Sequence, residues 1–200
     1  MKKIIVLAIL AAMCLTSCQK DEKTTDHHDM SIDATSGATW HYYSFAKNAV
    51  IGSGEENETD NAAWAKRSDW DIAVCRYKIR TNSGTSTTTT AMGGVFTCKA
   101  DVIFDALASV PSGAAFRVDY PVTTTGMGGT TTSISQSDAT VILFQTNEDG
   151  SLVMPPVYLT APVYIFRTAD GKCFYKVQFT QYLNENSESG HVKFISQEIK

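Results

Sequence analysis

The sequence predicts an all-β fold: a two-layer antiparallel β domain carrying one or two short helices. Three observations lead there. Beyond its first 37 residues the chain is rich in threonine, valine, tyrosine and phenylalanine, residues that suit a pleated, half-buried surface. Apolar and polar residues alternate with period two in run after run, and turn signals separate the runs at short intervals. No βαβ rhythm interrupts that alternation, so a parallel sheet is not expected.

At the N-terminal end, Lys2 and Lys3 precede an apolar run from Ile4 to Leu15. The run is too short to span a bilayer, which takes about 20 residues, but it suits a signal peptide. "LTSC" at 15–18 closes it with small residues before Cys18 and resembles a bacterial lipobox. Residues 1–17 are therefore expected to be a leader, with Cys18 the lipidated first residue of the mature chain. Loss of Lys2 and Lys3 would move the formal charge from −4 to −6. So acidic a chain offers no basic stripe for nucleic acid. Residues 18–37 are polar and read as a flexible tether. His27 and His28 fall within it, with no third or fourth ligand fixed nearby as a metal site requires.

Residues 38–200 are expected to form one β domain. "ATWHYYSFAK" (38–47) gives its first strand, and "GSG" (52–54) runs into acidic residues and reads as a loop. "NAAWAKRSD" (61–69) predicts a short helix, and "DWDIAVCRYKIRT" (69–81) a long strand. "GVFTCKA" (94–100), "GAAFRVDY" (113–120), "ATVILFQT" (139–146) and "PVYIFRT" (162–168) predict further strands, with a second short helix over "DVIFDALAS" (101–109). At the C-terminal end, Asp170-Gly171 signals a two-residue hairpin. Cys173–Tyr182 returns, and "NENSESG" (184–190) turns into "HVKFISQEI" (191–199), which completes a three-strand meander.

Three cysteines lie within this domain. By the period-two rule Cys75 shares a face with Ala73, Tyr77 and Ile79, Cys98 with Phe96, Ala100 and Val102, and Cys173 with Tyr175, Val177 and Phe179. An odd count without CxxC spacing argues for buried free thiols over a disulfide framework or a zinc site.

The usual catalytic constellations are missing: no GxSxG elbow, HExxH, Walker loop or CxxC pair occurs. A non-enzymatic binding role is therefore expected. Methionines in polar, glycine-containing stretches stand out instead: Met92 in "TTTTAMGGV", Met127 in "TTTGMGGTT" and Met154 in "GSLVMPPVY". "TTTGMGGTTTS" (123–133) reads as a mobile or tightly turned loop with no apolar gap for a methionine to fill. Pro155 and Pro156 hold Met154 extended. Met127 and Met154 flank one strand and are expected to face each other across a cleft.

The stretch "WAKRSDWDIAVCRYKIRTNSGTS" (64–86), with "TWHYYSF" upstream and the Gly-Gly pair after the threonine run, resembles the HmuY family of haem-binding lipoproteins. The resemblance extends from about Thr39 to the C-terminus. It implies an all-β fold gripping one haem b between loops, taken from host haemoproteins and passed to a TonB-dependent outer-membrane receptor. It also implies an outer-membrane lipoprotein, surface-exposed and anchored or released. The best-known members hold the iron between two histidines, whereas His41 and His191 lie outside the loops concerned. The resemblance therefore points to Met127 and Met154 as axial ligands, with Met92 the alternative. Gly126, Gly128 and Gly129 would let the backbone approach the macrocycle, and Tyr120, Phe144 and Tyr158 would wall the pocket. A surface lipoprotein without haem, or a binder of another small ligand, stays open beside that reading.

Overall fold

The computed structural model describes residues 27–125 and 129–200. In chain order it contains β1 (His28–Asp33), β2 (Thr39–Ser44), β3 (Ala49–Glu55), helix α1 (Glu58–Ala65), β4 (Ile72–Cys75), β5 (Lys78–Thr81) and β6 (Gly94–Thr97). There follow β7 (Tyr120–Thr125), β8 (Thr131–Gln136), β9 (Ile142–Phe144), β10 (Tyr158–Thr160), β11 (Tyr164–Arg167), β12 (Phe174–Leu183) and β13 (Ser189–Ile199). Two 3₁₀ turns lie at Gly84–Ser86 and Phe104–Ala106.

Two antiparallel sheets form the layers, as the alternation predicts. The larger has strand order β1-β13-β12-β11-β6 and the smaller β3-β2-β4-β5. Between them Tyr43, Ile72, Val74 and Ile79 of the small sheet meet Phe166, Val177, Phe179 and Phe194 of the large one. Each such side chain contributes roughly 1.5–3 kcal/mol on burial. A surface ion pair contributes about 0–1 kcal/mol. The inter-sheet layer therefore dominates stability.

The outer face of the small sheet is also covered, which explains why β4 is buried at every position. Ala73 and Cys75 point to a second cluster built from Trp40, Tyr42, Trp64 and Trp70. Asn57 caps α1, its side chain accepting from the Asp60 N–H, and Trp64 is the one buried residue of that helix. The Trp64 ring stacks on Tyr42 at 3.8 Å and lies over Gly54, where a Cβ would approach Trp64 Nε1 to 2.7 Å. The "GSG" stretch is accordingly part of β3 and not a loop. Its glycines make room for the indole. Arg80 lies 3.9 Å over the Trp40 ring. Its guanidinium donates to Ser135 O at 2.7 Å, Asn61 Oδ1 at 2.8 Å and Glu56 Oε2 at 2.7 Å.

Several elements differ from the sequence expectation. The run 69–81 is a hairpin, broken where Arg76 takes φ 56°. The Arg76 guanidinium donates to Thr35 O, Ser189 O and Ser189 Oγ, so contacts distant in sequence hold this unfavourable backbone. Cys75 therefore faces the tryptophan cluster while Tyr77 and Ile79 join the inter-sheet layer. The tether ends earlier than residue 37: β1 pairs along the edge of β13, burying Ile32 and Ala34. "GAAFRVDY" makes the isolated bridge Arg117–Val95 and is strand only from Tyr120, where β7 begins, and "DVIFDALAS" a single 3₁₀ turn. The threonine run read as a loop forms the ribbon β7–β8, because β-branched side chains favour extended backbone. The C-terminal meander β11-β12-β13 is present, with Gly171 at φ 74° in its first turn. Cys75 and Cys98 are buried free thiols and Cys173 is a half-buried one.

Arg80→Ala leaves the Glu56 carboxylate, the Ser135 carbonyl and the Trp40 face without their shared partner. The expected loss is about 3–5 kcal/mol, measured by urea unfolding followed through tryptophan fluorescence; a loss below about 1 kcal/mol contradicts this role.

Candidate functional site

Two ribbons stand outside the main sheets, β7–β8 and β9–β10, and a single connection joins them. Residues 137–141 of that connection run along β5. The Ser137 and Val141 N–H groups donate to Ile79 O and Tyr77 O, both at 2.9 Å, and the Thr140 hydroxyl adds a bond to Tyr77 O at 2.9 Å. Both ribbons are thus rooted on one strand.

The base of β7–β8 is held by the carboxylate of Asp119, the residue just before β7. Its oxygens accept from the Thr81 N–H at 3.1 and 2.9 Å, from Thr81 Oγ1 at 2.6 Å and from Ser86 Oγ at 2.6 Å. The Asp119 N–H donates to Ser83 Oγ at 3.1 Å, and its carbonyl accepts from the Thr85 N–H at 3.1 Å. Gly84 sits at φ +50°, and a Cβ there would meet Asp119 O at 2.0 Å, so only glycine fits. Burial pushes the Asp119 carboxyl up to about 6; the donors from Ser86 and Thr81, and then the Arg80 charge, oppose that shift without cancelling it.

The second ribbon is apolar. Among the described residues, six of the eleven exposed large apolar ones, Leu143, Leu152, Met154, Val157, Tyr158 and Leu159, fall between positions 143 and 159. Leu143 and Leu159 are cross-strand partners on its outward face. On the inward side Phe144 meets Tyr77 at 5.0 Å and Tyr158 at 5.6 Å, and Tyr158 meets Tyr182 at 5.4 Å. A cavity of about 260 Å³ lies between this ribbon and β12, lined by Ile142, Tyr158, Leu159, Phe179 and Tyr182. Exposed apolar surface gathered this way marks a ligand or partner site.

Met154 lies on the connection between β9 and β10, after a turn closed by the Asn147 N–H to Ser151 O bond at 2.8 Å. Its side chain is the most exposed large apolar group among the described residues, at 73%. Phe144 and Tyr158 are brought together on the same ribbon. Tyr120 is on the other one, donating its hydroxyl to Asp138 at 2.8 Å, and the Asp138 carboxylate holds that phenol above its ordinary value. Gly129 has φ +82° with open space about it. Gly126, Met127, Gly128 and Cys18 lie outside the described residues.

Met92 packs elsewhere. Its N–H donates to Ala169 O at 2.7 Å, and its side chain covers Gly171 in the turn before β12. Tyr182, which touches the Met154 ribbon, is near the other end of β12, about 25 Å away at the usual rise per residue. Met92 and Met154 are not brought together. The histidines lie off both ribbons: His41 is in β2, where burial pushes its imidazole down, and His191 is in β13. Among the described residues no cluster of three or more His, Cys, Asp or Glu side chains is arranged to hold a metal ion.

Sequence reading missed Asp119 and the apolar set Leu143, Leu152, Val157 and Leu159. A lone acid closing the run "AAFRV" was the one available signal for Asp119.

The sequence profile of the family described as HmuY protein matches residues 36–195. A Bacteroides vulgatus structure described as HmuY-like and heme-binding shares the fold, with 24% identity and TM-score 0.61 over 85% of this chain and 90% of that one. A lipoprotein structure from Bacteroides fragilis aligns with 22% identity and TM-score 0.57 over 88% of this chain and 90% of that one. An apo HmuY analog from Tannerella forsythia aligns with 19% identity and TM-score 0.55 over 87% and 96% respectively. No curated protein matches the sequence.

The Asp119 carboxyl titrates higher in the fold than in the unfolded chain, where an aspartate lies near 3.9. Its contribution to stability is therefore full below the unfolded value and is lost as pH rises through about 6. The unfolding free energy of the protein relative to Asp119→Asn should fall between about pH 4 and pH 6.5, by at most about 3 kcal/mol, and then level off. A rise across that window would contradict the assignment.

Proposed function

Because the chain belongs to the HmuY family, we propose that it is a haem-binding lipoprotein that captures haem and passes it to a TonB-dependent outer-membrane receptor. It acts without catalysis, lipid-anchored through Cys18 at the outer membrane and drawing on host haemoproteins. The observation that carries this reading is the exposed apolar ribbon around Met154.

The residues present fit such a ligand. A porphyrin has two flat apolar faces, and Leu152, Val157 and the Phe144–Tyr158 pair offer apolar and aromatic surface beside a thioether free to turn outward. Met154 supplies one axial donor in this proposal and Met127 the other. In sequence, Met127 falls between the end of β7 and the start of β8, the ribbon fixed at its base by Asp119. Ribbons rooted on one strand give two donors a common frame, and Gly129 leaves room for close approach. When bound, iron protoporphyrin IX supplies a metal whose reduced form is favoured by neutral, soft thioether donors.

Haemin titration with and without dithionite, followed by absorbance, tests the reading. Tighter binding is expected in the reduced state. Met127→Ala and Met154→Ala should each weaken it by about tenfold or more, about 1.4 kcal/mol; Met92→Ala should not. Binding should persist through mild acid, where an imidazole ligand would protonate and a thioether cannot. The reading fails if no Soret shift appears in either redox state, and the ligand assignment fails if only Met92→Ala weakens binding.

A further inference from the structure

A second cavity, of about 270 Å³, lies on the other side of the ribbon base, between α1, the 3₁₀ turn at Gly84–Ser86 and β8. It shares no lining residue with the apolar cavity beside the Met154 ribbon. Its chemistry is different too. Thr85, Ser86, Ser133 and Ser135 line it, with the buried Tyr42 and Trp70 at its back.

The charges facing it cancel. Arg80 and Glu56 are paired at 2.7 Å, and Arg80 also donates to Ser135 O, Asn61 Oδ1 and the Tyr42 hydroxyl. An anion would meet a guanidinium already paired with a carboxylate, and a cation a carboxylate already paired with a guanidinium. What stays available is bidirectional. The Tyr42 hydroxyl receives Arg80 Nη1 at 3.5 Å and keeps its own proton to donate. The Asn61 amide gives one proton to Glu56 Oε1 at 2.7 Å and retains the other. Of the hydroxyls, Ser133 both donates and accepts, whereas the Ser86 proton goes to Asp119 and those of Ser135 and Thr85 run along the chain Thr85–Ser135–Ser86, which leaves these three as acceptors. Groups of that kind match a ligand whose own groups do both.

Size limits the choice further. The cavity is just below the roughly 300–1,000 Å³ of sites for drug-sized ligands, so it suits one small ring and excludes a tetrapyrrole. From neutrality, two-way hydrogen bonding and this volume, we propose that the cavity is a binding site for a small neutral polyhydroxylated ring, a single sugar residue or cyclitol. Such a ligand would lie between α1 and the ribbon that Asp119 anchors.

Trp40, Trp64 and Trp70 are all the tryptophans of the chain and belong to the cluster behind this cavity, so intrinsic fluorescence reports on it directly. The protein is titrated with methyl β-D-glucopyranoside, methyl β-D-galactopyranoside, methyl α-D-mannopyranoside and myo-inositol. At least one is expected to give a saturable change with a dissociation constant on the order of millimolar, as suits so small a ligand. Ser133→Leu and Ala65→Leu fill the cavity from opposite walls, and each should abolish the change while keeping the wild-type melting temperature within a few degrees. A response to the glycosides but not to inositol assigns a sugar, and the reverse a cyclitol. The proposal is overturned if none of the four probes gives a saturable change, or if both filled variants respond as the wild type does. Haem binding is independent of either result.

Discussion

The buried Asp119 carboxylate ties together three pieces of chain that nothing else joins so closely: the end of β5, the 3₁₀ turn at Gly84–Ser86 and the start of β7. Four donor contacts converge on it, and removing an acceptor of this kind strands several buried donors at about 1–3 kcal/mol each. Gly84 permits the approach by having no side chain. This contact set on the β7 side, with the Arg80, Thr85 and Ser86 bonds to Ser135 on the β8 side, holds the base of the β7–β8 ribbon to the body. By comparison, the exposed pairs Lys47–Asp69 and Arg67–Asp69 are minor terms.

The two ribbons solve opposite problems from one root. The β7–β8 ribbon is almost entirely exposed and covered in threonine and serine, whose hydroxyls keep a two-stranded edge compatible with water while β-branching keeps it extended. The β9–β10 ribbon carries leucine, valine, tyrosine and methionine into solvent. Folding alone gives no reason for that exposure, since the same side chains would stabilise the core. In the proposed function a ligand with apolar faces would supply the reason, and the aromatic chain Tyr77–Phe144–Tyr158–Tyr182 holds the ribbon in place.

The long motif from Trp64 to Ser86, which carries the family resemblance, turns out to be scaffold. Trp64 covers the β3 glycines, Arg80 stacks on Trp40, and Asn82 donates to the Arg67 and Trp70 carbonyls at 3.0 and 2.9 Å. Thr81, Ser83 and Ser86 all bond Asp119. None of these side chains belongs to the apolar ribbon. The stretch that carries the family resemblance is therefore frame, distinct from the ribbon that carries Met154. Fold class was readable for the same reason: both faces of β4 are buried in different clusters, and its neighbours repeat that alternation. The candidate site was only half legible. Methionines in odd places were visible, but the leucines around Met154 looked like ordinary strand residues until their exposure was known.

Alternation with period two is a local property of the backbone, so the sequence by itself determined the all-β class, the C-terminal meander, the short helix about Trp64 and the free thiols. What remained depended on partners far away in the chain. Arg76 breaks a strand because Thr35 and Ser189 receive its guanidinium. The segment from His28 is a strand because β13 has an open edge. Threonines 123–125 and 131–132 are a ribbon and not a loop because they pair with each other above a base that Asp119 fixes. Only the tertiary structure decided these, since a hydrogen bond between residues dozens of positions apart leaves no periodic trace in the sequence.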